Sequence, residues 1–328
     1  MAKPVILNGK IIVETYDWGP SVTALFVDDK RAGKEKIAKI KITNMDKTGI
    51  TREFSVTKTQ SGIMISFLQH PNNDYLSLLD FLEPKEKNNV PRRIRFELCF
   101  ASRDRLPMQV EIERIEDVLF PGLAPFFDGT YADEDGLVMD YSLYIPPGTG
   151  KIPLIVWLHG AGEGGRSPWL RLLKPPVSRL VERHIQDTLG QAAVLIPQAG
   201  TFWMDDGSGK YTLYGKSMYT EPLGGLIGKV LDEHNCLDRS RVYLGGCSNG
   251  GFMTVKMLLE QPGMFAAGIP VCEAYHDHWL SDKNIVQLAA MPLWFVQATD
   301  DPVVGPKEFV LPTFKRLKEA GAANVHLT

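Results

Sequence analysis

Near residue 118 the chain changes the period of its apolar residues, and that change constrains its fold more than any motif does. Before it, apolar and polar residues alternate, as in Ile63-Met64-Ile65-Ser66-Phe67 and Ile94-Arg95-Phe96-Glu97-Leu98-Cys99-Phe100. A period of two is what a strand with one buried face and one solvated face requires. Val22 to Val27, Ile37 to Ile42, Glu53 to Thr57 and Val110 to Glu113 repeat the signal, with turn-forming or charged residues between them. No amphipathic helix interrupts them, so residues 1–117 are expected to form an all-β sandwich.

After residue 118 the pattern differs. Leu154 to Leu158 and Ala193 to Ile196 are continuous apolar runs, as strands buried on both faces of a parallel sheet must be. Further strands are expected at Val242 to Leu244, Ala267 to Val271 and Leu293 to Ala298. Helical stretches lie between and after them: Trp169 to Leu189, broken at Pro175-Pro176, then Leu226 to Glu233, Gly251 to Glu260 and Pro306 to Ala320. Alternating strands and helices predict a doubly wound, mostly parallel α/β sheet over residues 118–328. Its ligands belong at the carboxyl ends of the strands, where every motif below falls. The spacing of the earlier strands suggests an immunoglobulin-like sandwich, without the Cys-Trp-Cys hallmark of antibody domains.

Composition narrows the function. With 328 residues, 44% hydrophobic and 23% charged, the chain is long enough for two globular domains. Lys and Arg total 36 against 39 Asp and Glu, a net charge of −3 that gives no electrostatic case for nucleic acid or an anionic membrane. Its apolar runs are far shorter than the ~20 residues of a membrane span. The N-terminus lacks the apolar core and cleavage site of a signal peptide, so the chain as written is expected in the cytoplasm, with secretion left open. Cys99, Cys236, Cys247 and Cys272 show no CxxC spacing, which suggests buried free thiols and neither a zinc site nor a disulfide framework.

Three motifs carry chemistry. Gly246-Cys247-Ser248-Asn249-Gly250 stands between the run Val242-Tyr243-Leu244 and the helical stretch from Gly251, the strand-turn-helix setting of a nucleophile elbow. A serine hydroxyl is a weak nucleophile at neutral pH, and the sharp turn exposes Ser248 to a base. Cys247, at a variable position of the motif, is not the expected nucleophile. His159-Gly160-Ala161-Gly162-Glu163-Gly164-Gly165 follows the first buried strand, where a glycine-rich loop brings a backbone N–H to a developing oxyanion. Ala161 is the expected loop donor, and Asn249, the residue after the nucleophile, the second. Gly160-x-Gly162-x-x-Gly165 also fits a dinucleotide fingerprint, but Arg166-Ser167-Pro168 stands where the helix should begin and no acidic strand end follows about 20 residues on. Asp301, in Asp300-Asp301-Pro302-Val303-Val304, ends a strand after the serine, where the acid of a catalytic triad belongs.

Taken in order, Ile155 to Glu163, the elbow, Phe265 to Cys272 and Asp301-Pro302-Val303-Val304 resemble the α/β-hydrolase esterases of the polyhydroxybutyrate-depolymerase and feruloyl-esterase type, over about residues 120–328. Some esterases of that type carry an immunoglobulin-like domain in front. The resemblance implies Asp301 rather than Asp300 as the acid. It also implies a histidine base beyond the last strand, typically in a Gly-His pair. The later His326 is embedded in the strand-like Asn324-Val325-His326-Leu327-Thr328, while His276 and His278 precede the acid. The expectation is a chain that stops short of its base and is nearly inactive.

Gln198 to Gly224 is rich in aromatics and could form a pocket. Trp203 and Glu163 are the expected substrate-lining residues, on their nearness to strand ends. The expected substrate is a small-molecule or polymer-linked carboxylic ester, with no cofactor and no metal. A serine peptidase of the prolyl-oligopeptidase kind and a non-catalytic binding protein are the alternatives.

Overall fold

The computed structural model describes residues 5–16, 18–44, 47–77, 94–102, 104–112, 114, 117–166, 168–173 and 177–328. The chain divides into two compact units, one of Met1–Lys85 and Asn89–Ala124, the other of Glu86–Asn88 and Pro125–Thr328.

In the first unit the strands are β1 (Val5–Leu7), β2 (Gly9–Tyr16), β3 (Gly19–Val27), β4 (Ile37–Asn44), β5 (Lys47–Thr51), β6 (Phe54–Lys58), β7 (Ile63–Phe67), β8 (Ile94–Phe100), β9 (Met108–Ile112) and β10 (Val118–Leu119). One sheet runs β1-β9-β8-β4-β5 and the other β10-β2-β3-β7-β6. Alternation does what it predicts: Ile94, Phe96, Leu98 and Phe100 of β8 turn inward, and Ile63, Ile65 and Phe67 of β7 meet them in one core. The Phe67 and Phe96 rings stack at 5.9 Å between centroids and join the two sheets. Two expectations need adjusting. Glu113 lies outside the described residues, and Val118–Leu119 pairs with Ile11 and Ile12 of β2, so the first unit runs past residue 117 to Ala124.

The second unit holds β11 (Phe127–Ala132), β12 (Val138–Tyr144), β13 (Ile152–Leu158), β14 (Ala193–Gln198), β15 (Leu237–Cys247), β16 (Ala267–Val271), β17 (Leu293–Phe295) and β18 (Val325–Leu327). Its helices are α1 (Pro168–Leu173), α2 (Arg183–Leu189), α3 (Thr220–Glu233), α4 (Asn249–Glu260), α5 (Asp282–Ala289) and α6 (Val310–Glu319). These strands form one sheet in the order β11-β12-β14-β13-β15-β16-β17-β18. β11 and β12 pair antiparallel, as do β12 and β14, and the remaining pairs are parallel. All six residues of β14 are buried, as a strand covered on both faces requires. Pro175 and Pro176, the expected helix break, lie outside the described residues; α1 and α2 flank them.

This order positions the site. The chain leaves β13 toward β14 on one side, whereas β15 lies on the other. A crevice opens where connections diverge in this way, at the carboxyl ends of β13 and β15. His159 follows the first of these ends and Ser248 the second.

Candidate active site

Ser248 sits between β15 and α4 with φ 57° and ψ −112°, a conformation that a side chain rarely adopts. Strain of this kind costs on the order of 1–3 kcal/mol and persists only where the surroundings impose it. They do so here. The Ser248 N–H donates to Val271 O at 2.8 Å, and Ser248 O accepts from Phe252 N at 2.9 Å, so strand and helix both grip the turn. A Cβ at Gly246 would meet Gly250 O at 2.6 Å, and one at Gly250 would meet Leu158 O at 2.2 Å. Both flanking positions therefore exclude any larger residue, and α4 enters with Asn249 at its first turn. Backbone N–H groups there have no partner within the helix and carry the positive end of its dipole.

The facing loop starts at His159, which is fully buried. Its Nε2 accepts from Ala199 N at 3.0 Å, which puts the proton on Nδ1, and Nδ1 donates to Gly160 O at 2.6 Å. Burial lowers its pKa to about 4, so the ring is a neutral brace for the loop and not a base. Gly165 N donates to Ala199 O at 2.8 Å and Gln198 Nε2 to Glu163 O at 2.8 Å, which fastens the loop to the end of β14. A methyl at Gly160 would stand 3.7 Å from Cys247 O, so loop and elbow lie side by side. Ala161, half-buried, opens a short 3-10 turn, Ala161–Glu163, in place of the helix a dinucleotide fingerprint needs.

The expected pocket residues require correction. Trp203 is 0% exposed; its Nε1 donates to His159 O at 3.0 Å and its ring packs 4.9 Å from the imidazole. It braces the loop from beneath and presents no surface to a substrate. Glu163, 5% exposed, is buried beside the elbow, its charge felt by the Cys247 thiol. Met204 N donates to Asn249 Oδ1 at 3.3 Å, a further tie between this segment and the elbow.

Asp301 lies in the turn after β17. Its Oδ1 accepts from Val303 N and Val304 N, each at 2.9 Å, and Oδ2 from Gln297 Nε2 at 3.4 Å. The carboxylate is half-buried and anchored, whereas Asp300 is exposed. The charge of Asp301 acts weakly on the Cys247 and Cys272 thiols. Among the described residues, no histidine ring is hydrogen-bonded to Ser248 or to Asp301. His326 is exposed on β18, with Nε2 3.1 Å from Asn324 Oδ1. The His276 ring stacks 4.1 Å from Phe309, and His278 packs against His276 and Trp279.

With this geometry in place, similarity to known proteins can be weighed. Residues 226–278, from α3 through the elbow to the segment after β16, match the prolyl oligopeptidase family. "Probable glutamyl endopeptidase, chloroplastic" of Arabidopsis thaliana is 26% identical over 159 residues, covering 44% of this chain but 16% of that protein. The chain thus spans only a small part of that relative's length. The solved structure of a thermostable esterase matches 100% of this chain and 90% of its own, with a TM-score of 0.75 at 22% identity. The chain has the α/β-hydrolase fold, preceded in sequence by a β domain. A poly(3-hydroxybutyrate) depolymerase from Bordetella parapertussis matches 62% of this chain and 82% of its own, with a TM-score of 0.47 at 16% identity.

Sequence reasoning overlooked several features around this candidate site. Arg171 is buried in the sheet's antiparallel corner, donating to Asp128, Ser142, Gln198 and Tyr141 O. Gln198 passes that order on to the loop at Glu163, a link invisible without the strand order. Leu213 and Tyr214 are 72% and 77% exposed. Trp279 Nε1 holds Leu213 O at 3.1 Å, and Trp279 and Tyr275 pack on Phe252 of α4. Apolar surface is thereby tethered to the helix that starts at Ser248. Beyond β16, Glu273 is buried with Oε1 unpartnered, and Oε2 accepts from Tyr275 N at 2.7 Å.

Proposed function

We propose that the protein is a serine hydrolase of carboxylic esters that works through an acyl-enzyme, with Ser248 as nucleophile, Asp301 as the triad acid and the N–H groups of Ala161 and Asn249 as oxyanion donors. The observation that carries this reading is Ser248 itself, strained at φ 57° on the turn between β15 and α4. Attack by its Oγ on an ester carbonyl expels the alcohol and leaves the acyl group on the serine; water then releases the acid. The two N–H groups stabilise the oxyanion in both steps, each donor being worth about 100- to 1000-fold in rate. The role of Asp301 is to orient a histidine base and stabilise its imidazolium. The exposed Leu213 and Tyr214 support an apolar or aromatic ester, small or polymer-linked.

Because no histidine ring is hydrogen-bonded to Ser248 among the described residues, slow ester turnover is expected, a missing triad member costing about a million-fold in a related machinery. A fluorophosphonate is expected to label Ser248 slowly, through the elbow and the oxyanion donors alone, and to leave Ser248→Ala unlabelled over the same time. Slow hydrolysis of p-nitrophenyl acetate that His326→Ala does not change is expected; a fast rate abolished by that substitution refutes the slow-turnover reading.

A second reading, a serine peptidase, is favoured by the prolyl oligopeptidase match at residues 226–278. Parallel assays on matched ester and peptide p-nitroanilide substrates decide between them.

A further inference from the structure

Cys247 and Cys272 meet beside the nucleophile with their sulfurs 3.3 Å apart. Their approach is built into the sheet. Cys247 ends β15 in register with Val271, the residue before Cys272. Ser248 N donates to Val271 O and Cys272 N to Val296 O, each at 2.8 Å, so both backbones are pinned. Neighbouring strands about 4.8 Å apart, offset by one residue, put the two Cα atoms roughly 6 Å apart, within the span a disulfide bridges. Both cysteines are half-buried as residues. Cys272 sits at φ 35°, a second strained residue at this edge of the site.

We propose that Cys247 and Cys272 are an oxidisable thiol pair that closes to a disulfide in the presence of a hydroperoxide and thereby throttles Ser248. The throttling rests on the reading of Ser248 as nucleophile; the disulfide does not. The contact between the two sulfurs lowers the Cys272 pKa, whereas the same contact and burial raise that of Cys247. Cys272 thiolate attacks the peroxide: an S–O bond forms, the O–O bond breaks, and the leaving hydroxide takes up a proton as water. Cys247 sulfur then attacks the Cys272 sulfenic acid; the S–S bond forms, the S–O bond breaks, and the second water carries off the Cys247 proton. Two thiols lose two electrons and the peroxide gains them. The sulfurs must close from 3.3 Å to about 2.05 Å, and the pull falls on the residue that precedes Ser248.

The test is to expose the 328-residue protein to hydrogen peroxide, alkylate the remaining thiols and map the peptides by mass spectrometry. The expected product is a Cys247–Cys272 cross-link that a dithiol reductant reverses, with Cys99 and Cys236 still alkylated. Finding Cys247 and Cys272 both alkylated, or each oxidised separately without a cross-link, overturns the pair. Fluorophosphonate labelling of Ser248 is expected to slow on the order of 10- to 100-fold in the cross-linked protein, as for a reacting group displaced by about 1 Å. It is expected to recover on reduction and to resist peroxide in Cys272→Ser. An unchanged labelling rate in fully cross-linked protein overturns the throttle. Labelling of the reduced protein is expected to be slow without a histidine base; reduced protein that labels no faster than Ser248→Ala on prolonged incubation counts against the nucleophile, while the cross-link is still judged by mass.

Discussion

Ser248, His159 and Glu273 each sit where an ordinary solvated side chain would not. Ser248 accepts backbone strain, and the two others accept burial. For His159, the folded pKa of about 4 lies below the unfolded value of ~6.5, so the unfolded chain binds more protons between them. Its contribution to stability is therefore full above about pH 6.5 and lost as pH falls toward 4, by roughly 3 kcal/mol. Urea titrations should show the denaturation midpoint falling over that window. Glu273 acts in the opposite sense. Burial raises its pKa well above the ordinary value, so the folded state keeps a proton that the unfolded chain releases as pH rises above about 4.3. Glu273→Gln, which never ionises, should match the parent at pH 4 and exceed it in urea midpoint at pH 8. Equal midpoints at both pH values would show that Glu273 is solvated.

At the scale of elements, the elbow is the tightest joint. Gly250→Ala would drive a methyl into Leu158 O, forcing α4 off β13, and is expected to cost about 1–3 kcal/mol. Gly228→Ala is the contrasting case: it lies in α3 with open space around it and should gain about 0.5–1 kcal/mol. Thermal unfolding of the two variants should move Tm in opposite directions. Strands with a clean period were legible residue for residue, as β7 and β8 are. β17 was expected to run to Ala298; its regular ladder stops at Phe295, and single pairings carry the chain on, Val296 with Val271 and Gln297 N to Thr328 O. α5 was overlooked: it is short, and its capping box of Ser281 and Asn284 is a faint signal beside a long apolar stripe.

For the whole molecule, the two units have separate cores. We therefore propose that Phe96→Ala, which removes a ring stacked on Phe67, destabilises the first unit by about 3–5 kcal/mol while fluorophosphonate still labels Ser248 in the second. Labelling lost in parallel with the near-UV signal of the first unit would show the two to be one cooperative body. The fold classes of the two units and the strand-turn-helix around Ser248 were legible in the sequence alone. These depend on local quantities: the period of apolar side chains, and the absence of a Cβ where backbones touch. Which side chains near the strand ends are buried came only from the tertiary structure. Trp203 and Glu163 looked like pocket walls by nearness to strand ends, yet the fold buries both, because a side chain's exposure is set by what packs over it from elsewhere. Cys247 and Cys272 stand 25 residues apart in sequence. They meet only because β15 and β16 are neighbours in the sheet, and strand adjacency is a long-range choice that no local pattern records.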